Sequence, residues 1–157
     1  MVTTVAFRAD GVVSSGYTAA SGVDPVVYES KVYDLQNGVT ATNYNTGTFT
    51  FTAPVAGIYR FAATICGSTS EAGTALMAFS MVMRDATSTP VGQPIQQRFN
   101  STSAADFAGA TIVGDFQMLA GYELIMQAEN TGTANYAIPA GTVIGRSFVG
   151  SLIFETS

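Results

Sequence analysis

Cys66 is the only cysteine in the 157-residue chain, and no histidine is present to take its proton. A catalytic thiolate of the usual kind needs such a partner, so Cys66, beside Gly67 in a predicted strand, reads as a buried or interface thiol. Without histidine the serines cannot build a Ser-His-Asp triad, and no His-ligated metal site is possible. One cysteine cannot form an internal disulfide or a cysteine-rich zinc site either. Paired carboxylates are the chemistry that remains. Glu123 and Glu129 lie six residues apart on one predicted strand. They share a face there but stand about 20 Å apart, beyond the reach of glycosidase chemistry. Asp106 and Asp115 are the other pair. Both pairs read as solvated surface acids. Calcium would need oxygen ligands gathered from several acids and carbonyls. Asp24, Glu71 and Asp106 are isolated, so no cofactor or metal is expected. No glycine pair precedes a helix as a phosphate loop requires.

Charge narrows the partners. Six basic and eleven acidic side chains give a net charge of −5, and Lys31 is the only lysine. Nucleic-acid binding through a basic patch is excluded. Charged residues are only 11% of the chain, against roughly 25% in an average soluble domain. No run approaches the ~18–20 apolar residues that span a bilayer, so no membrane partner is expected. Met1 to Asp10 lacks a basic stretch followed by an apolar one. The expectation is a polypeptide made in the cytoplasm without a secretory signal.

The elements that must position these groups are strands. Helical apolar stripes are nearly absent, and short alternating runs lie between turn signals. The runs are Val2 to Ala9, Val26 to Leu35, Thr48 to Thr52, Ile58 to Cys66, Ala75 to Arg84, Ile95 to Phe99, a strand within Phe107 to Leu119, Tyr122 to Ala128, and Ser147 to Glu155. Gly11 to Asp24 reads as a loop. Asn37-Gly38 and Asn45-Thr46-Gly47 read as turns, because Asn and Gly accept positive φ. Phe49 and Phe51 are expected on one face of their strand. Tyr59, Phe61, Ala63 and Ile65 share another face, as do Phe148, Leu152 and Phe154. Met77, Phe79, Met81 and Met83 alternate in a stripe better suited to core or subunit packing than to ligand binding. About eight to ten strands in one domain, residues 1–157, predict two antiparallel sheets packed as a jelly roll. With so few charges, a single copy would expose apolar patches, which a cyclic homo-oligomer would cover.

The segment Tyr44 to Phe61, YNTGTFTFTAPVAGIYRF, resembles the signature of C1q-like globular heads, a branch of the tumour-necrosis-factor-like jelly rolls. The matching positions are Tyr44, Phe51, Gly57, Tyr59 and Phe61. Val5-Ala6-Phe7 resembles the opening strand of that family. Gly121, within Leu119 to Leu124, and Phe148, Gly150 and Leu152, within Ser147 to Phe154, resemble a late turn and the closing strand. Val39, Ala63 and Tyr122 depart from the pattern, which marks a divergent member. Gly57 is expected where the chain turns sharply into a strand.

The resemblance implies a scaffold rather than a chemical site, and a homotrimer packed about a threefold axis. Combined with the sparse charge, it leads to an expected function: a non-enzymatic trimeric knob that decorates or cements a virion capsid, or tips a fibre. Its partners would be its own copies and a capsid or other virion protein, and its place the virion surface. The alternative is an extracellular recognition module that binds proteins or glycans through loops Gly11–Asp24, Ser68–Gly73 and Thr87–Pro94.

Overall fold

Alternation between apolar and polar residues organises the computed structural model, which describes residues 3–11, 16–20, 22–69, 72–103, 107–138 and 145–156. No helix occurs among them. The strands are β1 (Val5–Asp10), β2 (Tyr17–Ala19), β3 (Gly22–Pro25), β4 (Ser30–Gln36), β5 (Val39–Thr40), β6 (Tyr44–Asn45) and β7 (Thr50–Thr52). They continue as β8 (Gly57–Thr69), β9 (Ala75–Arg84), β10 (Ile95–Ser101), β11 (Ala108–Met118), β12 (Glu123–Asn130), β13 (Tyr136–Ile138) and β14 (Arg146–Glu155).

Two antiparallel sheets result. The larger runs β2-β13-β8-β14-β1-β4-β5, with β11 also paired to β8. The smaller runs β10-β9-β12-β7-β6, with β3 also paired to β12. Consecutive long strands change sheet: β8 and β11 belong to the larger, β9 and β12 to the smaller. This is a jelly roll, as expected.

The sheets bury their facing sides against each other. On β8, Tyr59, Phe61, Ala63 and Ile65 are buried, while Ile58 and Arg60 are exposed. Phe7 of β1 stacks on Phe51 at 4.8 Å between ring centroids and on Tyr44 at 5.2 Å, and meets Phe148 edge-on at 4.9 Å. Phe61 lies against Phe51 at 5.3 Å and Phe116 at 5.9 Å. Each large ring taken from water contributes about 2–3 kcal/mol. The methionine stripe joins this core: Met77 and Met81 are buried, with Met118 and Met126 beside them.

Five expectations need correction. Ser68 and Thr69, expected in a loop through Gly73, close β8 and are buried, and Ser70 and Glu71 lie outside the described residues. Residues Gly11 to Asp24 are not all loop, since they include β2 and most of β3. Tyr17 and Ala19 are buried there, but a three-residue strand is too short for alternation to reveal. Among the described residues fourteen segments replace eight to ten for the same reason. Phe49 does not share a strand face with Phe51, because its φ of 58° puts it in the turn before β7. Phe154 does not share the buried face of Phe148. Register shifts between Leu152 and Phe154, and Phe154 is 62% exposed. Such a bulge sets two residues opposite one on the partner strand.

The Asn37-Gly38 turn between β4 and β5 is as expected, with φ of 54° and 76°. Gly57 is required for a different reason from the one expected. A Cβ there would sit 2.5 Å from Leu152 Cδ1 and 2.5 Å from the Phe154 carbonyl oxygen, so the position demands close approach.

Asn130, buried at the end of β12, holds the turn that follows. Its Nδ2 donates to the carbonyls of Ala134 at 2.9 Å and Ala19 at 3.2 Å, and its Oδ1 accepts from Gly132 N at 3.0 Å. Asn130→Ala leaves these groups without their partner and is expected to cost about 1–3 kcal/mol in denaturant unfolding. A loss within 0.3 kcal/mol would show that the turn holds without it.

Candidate functional site

The signature residues hold the scaffold together. Tyr44, Phe51, Tyr59, Phe61 and Phe148 meet in the core, and Gly150 makes room among them. A Cβ on Gly150 would lie 2.5 Å from both Phe61 Cδ1 and Phe7 Cε1. Tyr44 is fixed at both ends. Its amide donates to Asp34 Oδ2 at 2.8 Å, and its hydroxyl donates to the Tyr28 carbonyl at 3.1 Å. Burial, and secondarily the Glu29 charge, pushes its phenol well above the ordinary range. Tyr59 donates to the Val55 carbonyl at 2.8 Å, and burial raises its phenol too. Gly57 and the partly buried Leu152 touch at the start of β8. Gly121 stands apart in a turn, with φ of 85° and its amide on the Ala53 carbonyl.

The candidate chemical groups are dispersed. Cys66 is half-buried on the outward side of β8, opposite Gly109 of β11. Glu123 and Glu129 sit at opposite ends of β12, and Glu123 accepts from Ser88 Oγ at 3.3 Å. Asp24 lies on β3, opposite Ala128. Glu71 and Asp106 fall outside the described residues. Among the described residues no three His, Cys, Asp or Glu side chains gather into a group that could hold a metal.

What the larger sheet does present is an outer face. Its central strands run β1-β14-β8-β11. Register places Arg8, Val149, Ala62 and Val113 in one row across them, and Ala6, Ser151, Arg60 and Asp115 in the next. At the end of β14 the bulge sets Ile153 and Phe154 beside Ile58. These three are 50%, 62% and 36% exposed, and Val113 is 57% exposed. Further along, the hydroxyls of Thr64 and Thr111 lie 3.0 Å apart.

The charges on these four strands' outward positions are mutually paired. Arg8 Nη2 lies 3.1 Å from Asp10 Oδ2. Arg60 forms a two-pronged pair with Asp115, Nε to Oδ1 at 2.8 Å and Nη2 to Oδ2 at 2.7 Å. The hydrogen bond from Arg60 holds the Asp115 carboxyl below its usual range, and the same bond raises the guanidinium. The face is thus apolar and small in texture and locally neutral, on a chain of net charge −5.

Sequence reasoning missed three polar positions that shape the scaffold. Asp34, buried on β4, supports Tyr44 and lies 3.6 Å from Lys31 Nζ. Arg146, also buried, pairs with Glu29 at 3.0 Å and covers the ring of Tyr17 at 5.5 Å. Asn130 is the third. No signal in the sequence marks them: Asp34 lies near Lys31 and Gln36, Arg146 beside Ser147, and Asn130 between Glu129 and Thr131.

The order of the strands and their division between two sheets define the class: a jelly roll of the C1q and tumour-necrosis-factor type. Among solved structures, the chain is similar to the globular domain of zebrafish complement 1qA protein, with a TM-score of 0.59 and 17% identity over 98% of each chain. It is similar to murine APRIL, with a TM-score of 0.60 and 11% identity over 96% of this chain and 99% of that one. Eiger TNF from S. frugiperda gives 0.56 and 13% identity over 99% and 94%. No protein-family model and no curated protein sequence matches the chain.

Proposed function

We propose that this chain is a non-enzymatic structural protein that forms a homotrimeric knob on a virion surface, seated on a capsid or other virion protein. The observation that carries the self-association is the outer face of the larger sheet. Ile58, Val113, Ile153 and Phe154 are exposed there, on strands whose outward charges are already paired. Exposed apolar patches of this kind mark interfaces, and closed rings are the usual arrangement of identical copies. Three is the number that the C1q-like resemblance implies. The virion setting is supported by the use of jelly rolls in capsids and by the low charge of the chain. The non-enzymatic reading is supported by the dispersal of Cys66, Glu123 and Glu129.

A second reading, a recognition module, is favoured by one loop. Asp85 Oδ1 accepts from Thr87 N at 2.8 Å, Thr87 Oγ1 at 2.7 Å and Thr89 N at 3.0 Å, which fixes part of the loop Thr87–Pro94. A preset loop binds with less ordering cost.

Phe154→Asp is the direct test of the assembly. A charge buried without a partner weakens an interface strongly, so the variant is expected to run as a single copy where the parent runs as three. A parent trimer that the variant leaves intact would move the interface elsewhere. Peptide mass spectrometry of purified particles from the source tests the virion setting: presence at a fixed ratio to the shell protein is expected, and absence would reject that part in favour of recognition.

A further inference from the structure

We infer that the Arg60–Asp115 pair is the specificity element of this self-association, fixing how the next copy seats on the larger sheet. The inference rests on the self-association proposed above. It adds which residues choose the register and why charges occupy a face otherwise suited to apolar contact.

The pair stands between rows of a different kind. Ala62 and Val113 lie on one side of it, and Ile58 and Gln117 on the other, two residues away along β8 and β11. Ser151 is the neighbour of Arg60 across β14. Both side chains are solvated in a single copy, at 59% and 44% exposure. The two parallel hydrogen bonds already satisfy the groups that face each other. The fork is planar and rigid, and arginine loses little freedom in holding it.

Covering this face removes water from the pair. The remaining donors and oxygen lone pairs must then meet polar groups on the neighbouring copy. A copy displaced along the sheet would press an apolar side chain onto them, leaving desolvated charge without compensation. That penalty falls on wrong registers more than on the right one, which is how charged groups confer specificity. Because each charge has its main partner within its own copy, assembly brings together faces of no net charge. The net −5 of each chain then opposes assembly less than its size implies.

The test is a dilution series followed by native mass spectrometry on the full chain. The samples are the parent, Arg60→Ala, Asp115→Ala and the double variant Arg60→Met/Asp115→Leu. Each single variant leaves a charge unpaired on the face, and its assembly is expected to weaken by about 100-fold or more. The double variant removes both charges and is expected to recover most of the loss while populating more than one oligomer size. Circular dichroism checks that each variant keeps its strands. Should an alanine variant fail to fold, Arg60→Gln carries the same test, since it keeps a polar side chain of similar reach but leaves Asp115 without its cation. A trimeric parent whose single variants dissociate within about threefold of it would overturn this inference and leave the proposed assembly standing. A parent that is one copy at every concentration would overturn both.

Discussion

Phe61→Ala is expected to cost about 3–5 kcal/mol, a large part of the stability of a domain this size. The ring touches Phe7, Phe51, Tyr59, Phe116 and Phe148. Those neighbours come from both sheets, so the cavity left by its removal lies where the two sheets meet. It cannot close by a small shift of one strand. Gly150 sharpens the point, because the rings of Phe61 and Phe7 occupy the space its side chain would fill. Urea unfolding at constant slope measures the effect. A loss under 1 kcal/mol would mean that the core repacks freely, and that the aromatic signature is not what holds the sheets together.

The second large effect is alkaline unfolding. Burial pushes the phenols of Tyr28, Tyr17, Tyr44 and Tyr136 well above their ordinary value, and this is the leading cause for each. In the unfolded chain these phenols titrate near 10. Their folded values are raised, so their contribution is fully present below about pH 10 and is lost progressively as pH rises from there toward the folded values. At pH 12 Tyr17, Tyr44 and Tyr136 each cost about 3 kcal/mol, on the order of 8 together, and Tyr28 adds in the same direction. The protein is therefore expected to unfold cooperatively between about pH 11 and 12, with the tyrosinate absorbance of these four phenols appearing in the same transition. At the acid end, Asp85 and Asp115 are lowered chiefly by side-chain hydrogen bonds from Thr87 and Arg60. Their contribution is present above about pH 4 and is lost as pH falls. The chain has no histidine, so stability between about pH 5 and 8 is expected to be nearly flat. A step near pH 6–7, or a folded protein in which Tyr17, Tyr28, Tyr44 and Tyr136 are ionised at about pH 12, would contradict this account.

The long strands were legible in the sequence because their inward side chains repeat every second residue. β8, with Tyr59, Phe61, Ala63 and Ile65 inward, is the clearest case. The Asn37-Gly38 turn was legible because few other residues accept two successive positive φ angles. β2 was not legible. Three residues carry no period, and Tyr17 is held by Arg146, more than a hundred positions away. Phe154 looked inward because a strand was assumed to keep its register, and the bulge after Leu152 breaks it. The outer face was legible only as a surplus of apolar surface. Its neutrality depends on Arg60 meeting Asp115 across two strands, a pairing that follows from register. The glycines show the same limit. Gly57 and Gly121 look alike in sequence, yet one is fixed by neighbours and the other by φ.

The central claim is that the outer face of the larger sheet is covered by further copies of the chain. Native mass in dilute solution tests it most directly. The account predicts a species near three times 16.3 kDa that persists on dilution and falls to one copy in Phe154→Asp. A single 16.3 kDa species at every concentration would contradict it, and Ile58, Ile153 and Phe154 would then face water or another protein.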